Sequence, residues 1–284
     1  MASFSVAAAP GLPQRLRQRR RRSTVSPRTC ASAASASASP QTAAELKLRL
    51  LRLSARSDRG QLHNQLVWGD AYAPERTEVA SVVASLEALC PKPLQEGSCD
   101  GDWILEYASA PLFVSSPFFV AVGDALGGES QASLFFKLHE LQVASWGLSR
   151  YGAVTQTLTD DRLESRFVTL LFGLTVLPVI GWWKLIPSFG GKVISKSDAR
   201  LEYESGKLEL ELDFTRTEEA EGIPLLPFLG RFLTGRDAPV GAVWRLLPWN
   251  GGRRATAALR VTYCDFDTRI VRDRAGRFFV YGRP

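Results

Sequence analysis

The spacing of apolar residues predicts two helices near the start of the chain. In residues 42–53, leucines recur at intervals of three and four, with Thr42 placed as the N-cap and Glu45 at the capping-box position. Pro74 suits the first turn of a second helix, which Pro91 ends. The apolar positions of this second helix are Val79, Val82, Val83, Leu86 and Leu89.

From Trp103 onward the apolar period becomes that of β-strands. Trp103, Leu105 and Tyr107 alternate with Ile104 and Glu106, as expected of a strand with one buried face. Further strands are predicted over residues 132–144, 151–159, 162–171, 192–203, 207–216, 241–247, 255–265 and 277–282. The pattern therefore changes from helices to strands only once along the chain.

Two helices followed by eight or nine strands predict one α+β domain that is mainly antiparallel β. Asp160-Asp161 and Ser205-Gly206 have the composition of hairpin turns between consecutive strands. A short helix is expected from Ser116-Pro117 to Leu126, before Gly127-Gly128. A strand number near eight suits a closed barrel, which has no exposed edges and can enclose one small ligand.

An uncharged run over residues 167–183 lies at the short limit for a membrane helix, and Gly173, Pro178 and Gly181 interrupt it. We interpret it as a strand that ends near Phe172, followed by an apolar loop.

Two apolar loops are candidates for contact with a membrane. In the first, Trp182 and Trp183 precede Lys184 and resemble an interfacial anchor. The second, over residues 223–233, has Phe228 and Phe232 as its aromatic residues. The alternatives are that the tryptophans plug one end of the barrel, that the loops form an entry lip for a hydrophobic ligand, or that they pack on each other.

Residues 1–40 contain seven arginines and no acidic residue, and they are rich in Ser and Ala. This composition predicts a disordered organellar transit peptide, and it does not separate plastid from mitochondrial targeting. The alternative is a basic tail that binds nucleic acid or anionic lipid. Without these residues the 35 Lys and Arg residues fall to 28 against 29 acidic ones, so the formal charge changes from +6 to −1. The remainder of the chain therefore gives no electrostatic support for nucleic-acid binding.

The sequence contains few of the residue patterns that enzymes need. It has no nucleophile elbow, phosphate-binding loop or HExxH segment, and its four cysteines and two histidines lack metal-site spacing. We therefore expect a non-enzymatic protein with no metal and no cofactor. Trp103, Leu105 and Tyr107 share one strand parity, as do Val261, Tyr263 and Asp265. If both sets face inward, they line an apolar cavity with a polar end; the alternative is a filled barrel.

Charged residues are dense near the C-terminus. Residues 259–280 are interpreted as a strand, a charged corner, a tight turn and a final strand. Because buried charges are costly, these side chains are expected at a rim, in ion pairs, or against a polar ligand. The charged residues of the corner are Asp265, Asp267, Arg269, Arg272 and Asp273.

This C-terminal segment resembles that of the plastid-lipid-associated proteins, or fibrillins, in which a Tyr-x-Asp-x-Asp-x-Arg-Ile-x-Arg run closes a lipocalin-like barrel. Here the run extends from Tyr263 to Arg272. Other segments are similar to family blocks and occur in the same order: SDRG (57–60), SLEALCPKP (85–93), DGDWILEYAS (100–109) and VSSPFF (114–119). Cys90 stands where the family has Asn, and Ala108 where Thr is usual.

The resemblance implies that residues 41–284 form a fibrillin domain, with helices in about 42–90 and a lipocalin-like barrel in about 101–282. It implies a chloroplast protein, at thylakoids or plastoglobules, that binds a prenyl lipid, carotenoid or quinone. The expected ligand-binding residues are Trp103, Leu105, Tyr107, Val261, Tyr263, Asp265, Arg269 and Arg272. The expected contacts with a lipid or membrane surface are Trp182, Trp183, Phe228 and Phe232.

Two other functions remain open from the sequence. One is a non-enzymatic interaction protein that supports a prenyl-lipid biosynthetic enzyme through residues 42–90. The other is an enzyme that uses the Asp/Arg cluster, with Asp265 as an acid, on an apolar substrate.

Overall fold

A computed structural model describes most of the chain after residue 41. The described residues are 42–64, 69–90, 93–125, 150–170, 173–179, 182–188, 191–218, 239–246 and 252–284, with Lys137 and Asp237. The helices are α1 (Ala43–Arg56), α2 (Ala73–Leu89), α3 (Pro117–Ala125) and α4 (Val240–Leu246), and short 3-10 helices occupy Leu62–Asn64, Gly69–Tyr72 and Leu112–Ser115. The strands are β1 (Gly101–Ala108), β2 (Arg150–Leu158), β3 (Arg162–Leu170), β4 (Gly173–Val179), β5 (Trp182–Ser188), β6 (Gly191–Glu202), β7 (Lys207–Glu218), β8 (Thr256–Cys264), β9 (Thr268–Asp273) and β10 (Phe278–Gly282).

Eight of these strands form a closed barrel in the order β1-β10-β9-β8-β7-β6-β3-β2. Every neighbouring pair for which a register is defined runs antiparallel. Strands β4 and β5 form a separate two-stranded sheet. The predicted fold class, an α+β lipocalin-like barrel preceded by two helices, is confirmed.

Helices α1 and α2 form a layer on the outside of the barrel. The capping box at the start of α1 is present, since Thr42 N donates to Glu45 Oε2 at 2.9 Å and Glu45 N donates to Thr42 Oγ1 at 3.3 Å. The apolar stripes of the two helices pack against side chains of β1, β8, β9 and β10. Leu89, the last residue of the predicted stripe, is instead exposed. The buried residues of this outer layer are Leu46, Leu50, Leu53, Val79, Val82, Val83, Leu86, Tyr107, Tyr263, Ile270, Phe278 and Val280.

Two β-bulges decide which side chains reach this outer layer. Between Leu105 and Tyr107 the pairing of β1 with β10 slips by one residue, and between Val261 and Tyr263 the pairing of β8 with β9 does the same. An extra residue in one strand reverses the face of every side chain beyond it. Leu105 and Val261 therefore belong to the barrel core, whereas Tyr107 and Tyr263 pack under the helices.

The turn after α1 holds the helix layer close to β1. Asp58, Arg59 and Gly60 all have positive φ, at 49°, 58° and 86°. Arg59 O accepts a hydrogen bond from Ala108 N at 3.1 Å, so the turn is tied to the end of β1.

Three predictions about elements are wrong. Residues 241–247 are not a strand, because α4 covers all but the last of them and packs against β7; a short apolar run does not distinguish a helix from a strand by period alone. The expected loop after Phe172 is the β4–β5 hairpin, where each strand has a free edge and Pro178 and Pro187 are tolerated. The charged corner contains the strand β9.

The predicted strand over 132–144 falls outside the described residues except for Lys137, and so do residues 1–40.

Candidate functional site: the interior of the barrel

The inner wall of the barrel is mainly apolar. Its side chains form one buried cluster with residues of α3 and of the preceding 3-10 helix. Val120 and Ala121 of α3 and Phe113 of the 3-10 helix belong to this cluster, and α3 contacts β6, β7 and β8. The strand residues of the cluster include Trp103, Leu105, Val154, Leu158, Leu163, Phe167, Ala199, Leu208, Leu210, Leu212, Ala257, Leu259, Val261, Val271, Phe279 and Tyr281. Such a wall suits an apolar ligand.

Arg269 is a charged residue within this apolar interior, and it has no exposed surface. Along β9, Ile270 packs in the outer helix layer and Val271 in the barrel core, so the alternation of the strand turns Arg269 inward. Its guanidinium carbon lies 4.9 Å from the ring centroid of Trp103 and 4.8 Å from that of Tyr281. Both distances are within the range of cation–π interactions.

One polar side chain orients the guanidinium. Arg269 Nη2 donates to Gln156 Oε1 at 2.5 Å, and Gln156 Nε2 donates to the Tyr281 hydroxyl at 2.9 Å. Gln156 and Tyr281 are also buried. Arginine, glutamine and tyrosine therefore form a connected polar group on β9, β2 and β10 at one place in the lumen.

The described residues do not fill the hydrogen-bonding capacity of Arg269. Within the described part of the chain, its Nε and Nη1 atoms have no hydrogen-bond partner and no carboxylate lies within ion-pair distance. Burial lowers the pKa of Arg269, and the charges of Tyr281 and Cys264 partly offset this. Since arginine ordinarily keeps its proton, the interior contains a positive charge that the described acidic residues do not neutralise.

A row of hydroxyls continues from Gln156 around the wall. Gln156 is opposite Ser165, Ser165 is opposite Ser195, and Ser195 is opposite Thr215 in the strand register. Adjacent strands lie about 4.8 Å apart, so the row extends about 14 Å. The hydroxyls of Ser165, Ser195 and Thr215, and that of Ser197 on the same wall, are buried and have no hydrogen-bond partner among the described residues.

Two thiols lie near Arg269. Cys99 and Cys264 are buried free cysteines, and Cys264 Sγ donates to Ser98 O at 3.6 Å. A hydrogen bond with Cys264 lowers the pKa of the Cys99 thiol to about 7, and the charge of Arg269 acts in the same direction. The hydrogen bond to Cys99, followed by burial, raises the pKa of Cys264.

The structure separates the predicted ligand-binding residues into two groups. Trp103, Leu105, Val261 and Arg269 belong to the interior of the barrel. Tyr107, Tyr263, Asp265 and Arg272 lie instead on the helix side of the wall. The prediction that Tyr107 and Tyr263 share the inward face is therefore wrong, because the two bulges reverse their direction.

On the helix side, Asp265 is part of an ion-pair cluster with α1. Lys47 pairs with both Asp265 and Asp267, and the Tyr263 hydroxyl donates to Asp265 Oδ2. Burial would raise the pKa of the Asp265 carboxyl, but hydrogen bonds from Lys47 and Tyr263 outweigh burial and hold its pKa below the ordinary value. Burial, with Asp265 beside it, raises the pKa of Tyr263.

Arg272 and Tyr107 also have partners in the helix layer. Arg272 Nε and Nη2 donate to Glu87 Oε1 and Oε2 at 2.7 and 2.9 Å, a bidentate pair between β9 and α2. The Tyr107 hydroxyl lies 2.9 Å from Nδ1 of the buried His63. Burial raises the pKa of Tyr107 to about 12 and lowers that of His63. These contacts attach the helices to the barrel.

The predicted membrane-contact residues are described only in part. Trp182 and Trp183 lie in β5, opposite Val179 and Pro178 of β4, and Phe228 and Phe232 fall outside the described residues. Within the described residues, no helix combines the length and apolar character that crossing a membrane requires.

Sequence reasoning missed Gln156, Tyr281 and the wall hydroxyls. Gln156 stands between Val154 and Leu158 at the inward parity of β2, and Ser165 stands between Leu163 and Phe167 in β3. A polar residue at an inward position of an otherwise apolar alternation was the available signal.

Comparison of the chain with protein-family models, with curated proteins and with solved structures gave no match. The class of protein is therefore defined by its own architecture, a closed eight-stranded barrel with an apolar wall and a buried arginine.

Proposed function

We propose that this protein binds a hydrophobic, isoprenoid-type molecule, such as a prenyl lipid, carotenoid or quinone, inside its barrel. The observation that carries the proposal is the closed eight-stranded wall whose inward side chains are mainly apolar. A barrel of this size has room for filling side chains or for one small ligand. Burying an apolar chain contributes about 0.8 kcal/mol per CH₂ group, so a twenty-carbon chain supplies about 16 kcal/mol. This leaves the roughly 8 kcal/mol of micromolar binding when association and ordering cost about 8 kcal/mol.

The distribution of side-chain size around the wall supports a ligand. In the closed strand order, β10 stands opposite β6. Phe279 and Tyr281 of β10 thus face a strand on which three consecutive inward residues, Ser195, Ser197 and Ala199, are small. The buried hydroxyls on that strand, which the described residues leave without partners, also suit a molecule with polar groups.

The proposed location is the chloroplast, at thylakoids or plastoglobules. The arginine-rich, acid-free composition of residues 1–40 supports an organellar address, and the resemblance to plastid-lipid-associated proteins supports the plastid. Imaging of the full chain fused to a fluorescent protein in plant cells tests this part separately. Fluorescence confined to mitochondria would contradict it.

Co-purification with lipid tests the binding proposal. The purified protein is incubated with plastid lipid extract, re-isolated, and analysed by mass spectrometry of its organic extract. Ser195→Phe places a ring in the lumen, and Lys196→Phe places the same ring at the next residue of β6, which is outside the buried wall. We expect retained lipid for the wild type and Lys196→Phe, and loss for Ser195→Phe with an unchanged circular dichroism spectrum. No lipid above that of an unrelated control protein would refute the proposal.

A second candidate function is an interaction protein that supports a prenyl-lipid biosynthetic enzyme. The observation that favours it is the exposure of large apolar side chains on the helix layer: Leu48 and Leu51 of α1 and Leu89 of α2 are 50%, 48% and 51% exposed. Solvent-facing apolar clusters often mark protein contacts. Capture of such an enzyme from plastid extract should then be lost in Leu48→Glu/Leu51→Glu and retained in Ser195→Phe; the opposite result would favour the ligand carrier.

A non-enzymatic role remains our expectation. Asp265, the residue considered as an acid, is paired with Lys47 outside the apolar lumen, which favours a structural role for it. Turnover of an apolar substrate by the purified protein, lost in Asp265→Asn, would contradict this expectation.

A further inference from the structure

A pure hydrocarbon ligand would leave the buried charge of Arg269 without a neutralising partner among the described residues. We propose that the natural ligand carries a carboxylate, and that Arg269 binds this carboxylate inside the barrel. This inference rests on the proposed function and narrows its ligand class from isoprenoid-type molecules in general to isoprenoid-type acids, which excludes neutral carotenoids and quinones.

Arg269 would be costly to bury with only the partners that the described residues supply. Nε carries one N–H group and Nη1 carries two, and within the described residues none of the three has an acceptor. A buried, unpaired charge is among the most costly groups that a fold can contain. A carboxylate offers two oxygens to a guanidinium and neutralises its charge, so it meets both needs at once.

The guanidinium of Arg269 is already held in place by its neighbours. Trp103 and Tyr281 lie within 5 Å of its carbon, and Gln156 accepts from Nη2. Aromatic faces and a neutral amide hold the cation without neutralising it. A fixed cation with free donors is the arrangement expected of an anion site, because little ordering remains to be done when the anion arrives.

The site around Arg269 requires one negative charge from its ligand. Arg283, whose guanidinium carbon lies 4.4 Å from the Trp103 ring, donates through Nη2 to Ser98 O and has Asp100 among its neighbouring charges. The Cys99 thiol, with a pKa of about 7, offers only part of a negative charge at neutral pH. One further negative charge therefore balances Arg269. A carboxylate supplies one, whereas a phosphate monoester carries about −1.5 to −2 and would leave excess charge buried.

An acid and an alcohol with the same isoprenoid skeleton test the inference. All-trans-retinoic acid and all-trans-retinol are titrated into the full-length protein at pH 7, and binding is followed by quenching of tryptophan fluorescence. We expect the acid to bind at least tenfold more tightly than the alcohol. Arg269→Met should abolish this preference, mainly through weaker binding of the acid, while binding of the alcohol changes less than threefold.

Arg260→Met is the matched control, because Arg260 is exposed on the neighbouring strand β8 and its replacement removes the same charge outside the lumen. This variant should keep the preference for the acid. If Arg269→Met does not fold, Arg269→Lys replaces it, and a preference reduced by severalfold but still for the acid is expected.

The outcomes separate the two proposals. Equal affinity of the wild type for acid and alcohol, or an acid preference that Arg269→Met retains, overturns the inference and leaves the proposed function standing. Binding of neither molecule, together with no lipid recovered from plastid extract, refutes the proposed function and the inference with it.

Discussion

Gly60 should be far more sensitive to substitution than Gly276, a glycine of similar positive φ. A Cβ atom at Gly60 would lie 2.2 Å from Ala108 O and 3.0 Å from the Tyr107 ring. Both neighbours belong to β1, which the barrel holds on either side, so the turn rather than the strand must move. Moving the turn breaks the hydrogen bond from Ala108 N to Arg59 O and shifts α1 on the barrel.

The expected magnitude for Gly60→Ala combines three contributions. The left-handed backbone costs about 1–2 kcal/mol for a residue with a Cβ atom, the lost hydrogen bond about 1 kcal/mol, and the forced contact about 1–3 kcal/mol. The total is a loss of about 3–6 kcal/mol in the free energy of unfolding. Gly276→Ala is the matched control, since its φ of 77° is similar to the 86° of Gly60 and no atom lies within 4 Å of its would-be Cβ. It should lose only about 1–2 kcal/mol.

Urea denaturation followed by circular dichroism measures both variants. We expect Gly60→Ala to be less stable than Gly276→Ala by at least about 2 kcal/mol, with a similar dependence on urea. Equal losses in the two variants would refute the reasoning, because they would show that backbone conformation alone, and not close contact with β1, makes Gly60 necessary.

Three further predictions concern the ion pairs and the wall. Asp265→Asn should lower the free energy of unfolding by about 1 kcal/mol near neutral pH. The pKa of Asp265 is lowered in the folded protein, so this difference should be full above about pH 4 and should vanish as the pH falls through the folded pKa. Urea titrations at several pH values measure it. A double-mutant cycle of Glu87→Gln and Arg272→Met, measured by urea denaturation, should give a coupling of about 1 kcal/mol, and zero coupling would show that the bidentate pair does not stabilise the helix layer. Ser195→Ala removes a buried hydroxyl that no described residue satisfies and should raise stability by about 1 kcal/mol in thermal unfolding; a loss would mean that the hydroxyl has a partner.

Much of the fold follows from periodicity in the sequence. The capping box of Thr42 and Glu45 marks the first helix, and the turns at Asp160-Asp161 and Ser205-Gly206 join the strands that the alternation predicts. These are local signals, set by one helix end or one hairpin. The strand β9 was missed because its charged residues suggested a corner. In β9, Arg269 and Val271 face the barrel interior, and Ile270 between them faces the helix layer.

The candidate site was predictable only in part. Trp103 reaches the lumen as strand parity suggested, but Tyr107 and Tyr263 do not. The density of charge suggested a rim, an ion pair or a polar ligand for Arg269, and this residue is instead fully buried in the apolar interior. A bulge depends on how two distant strands pair, so parity counted along one strand does not include it. Pairing between strands far apart in sequence likewise brings Gln156 to Arg269, which are separated by 113 positions.

The extra residue in β1 marks a position where the strand can become shorter without a change of register. Glu106 is the residue left unmatched where Leu105 faces Tyr281 and Tyr107 faces Val280. If that one codon were lost, Leu105 and Tyr107 would become neighbours and would pair with Tyr281 and Val280 without a bulge. Plain alternation would then keep Leu105 in the barrel core and Tyr107 under the helices. A deletion there therefore preserves both surfaces of the strand, and its cost falls on the hydrogen bond that the Ser54 hydroxyl donates to Glu106 O.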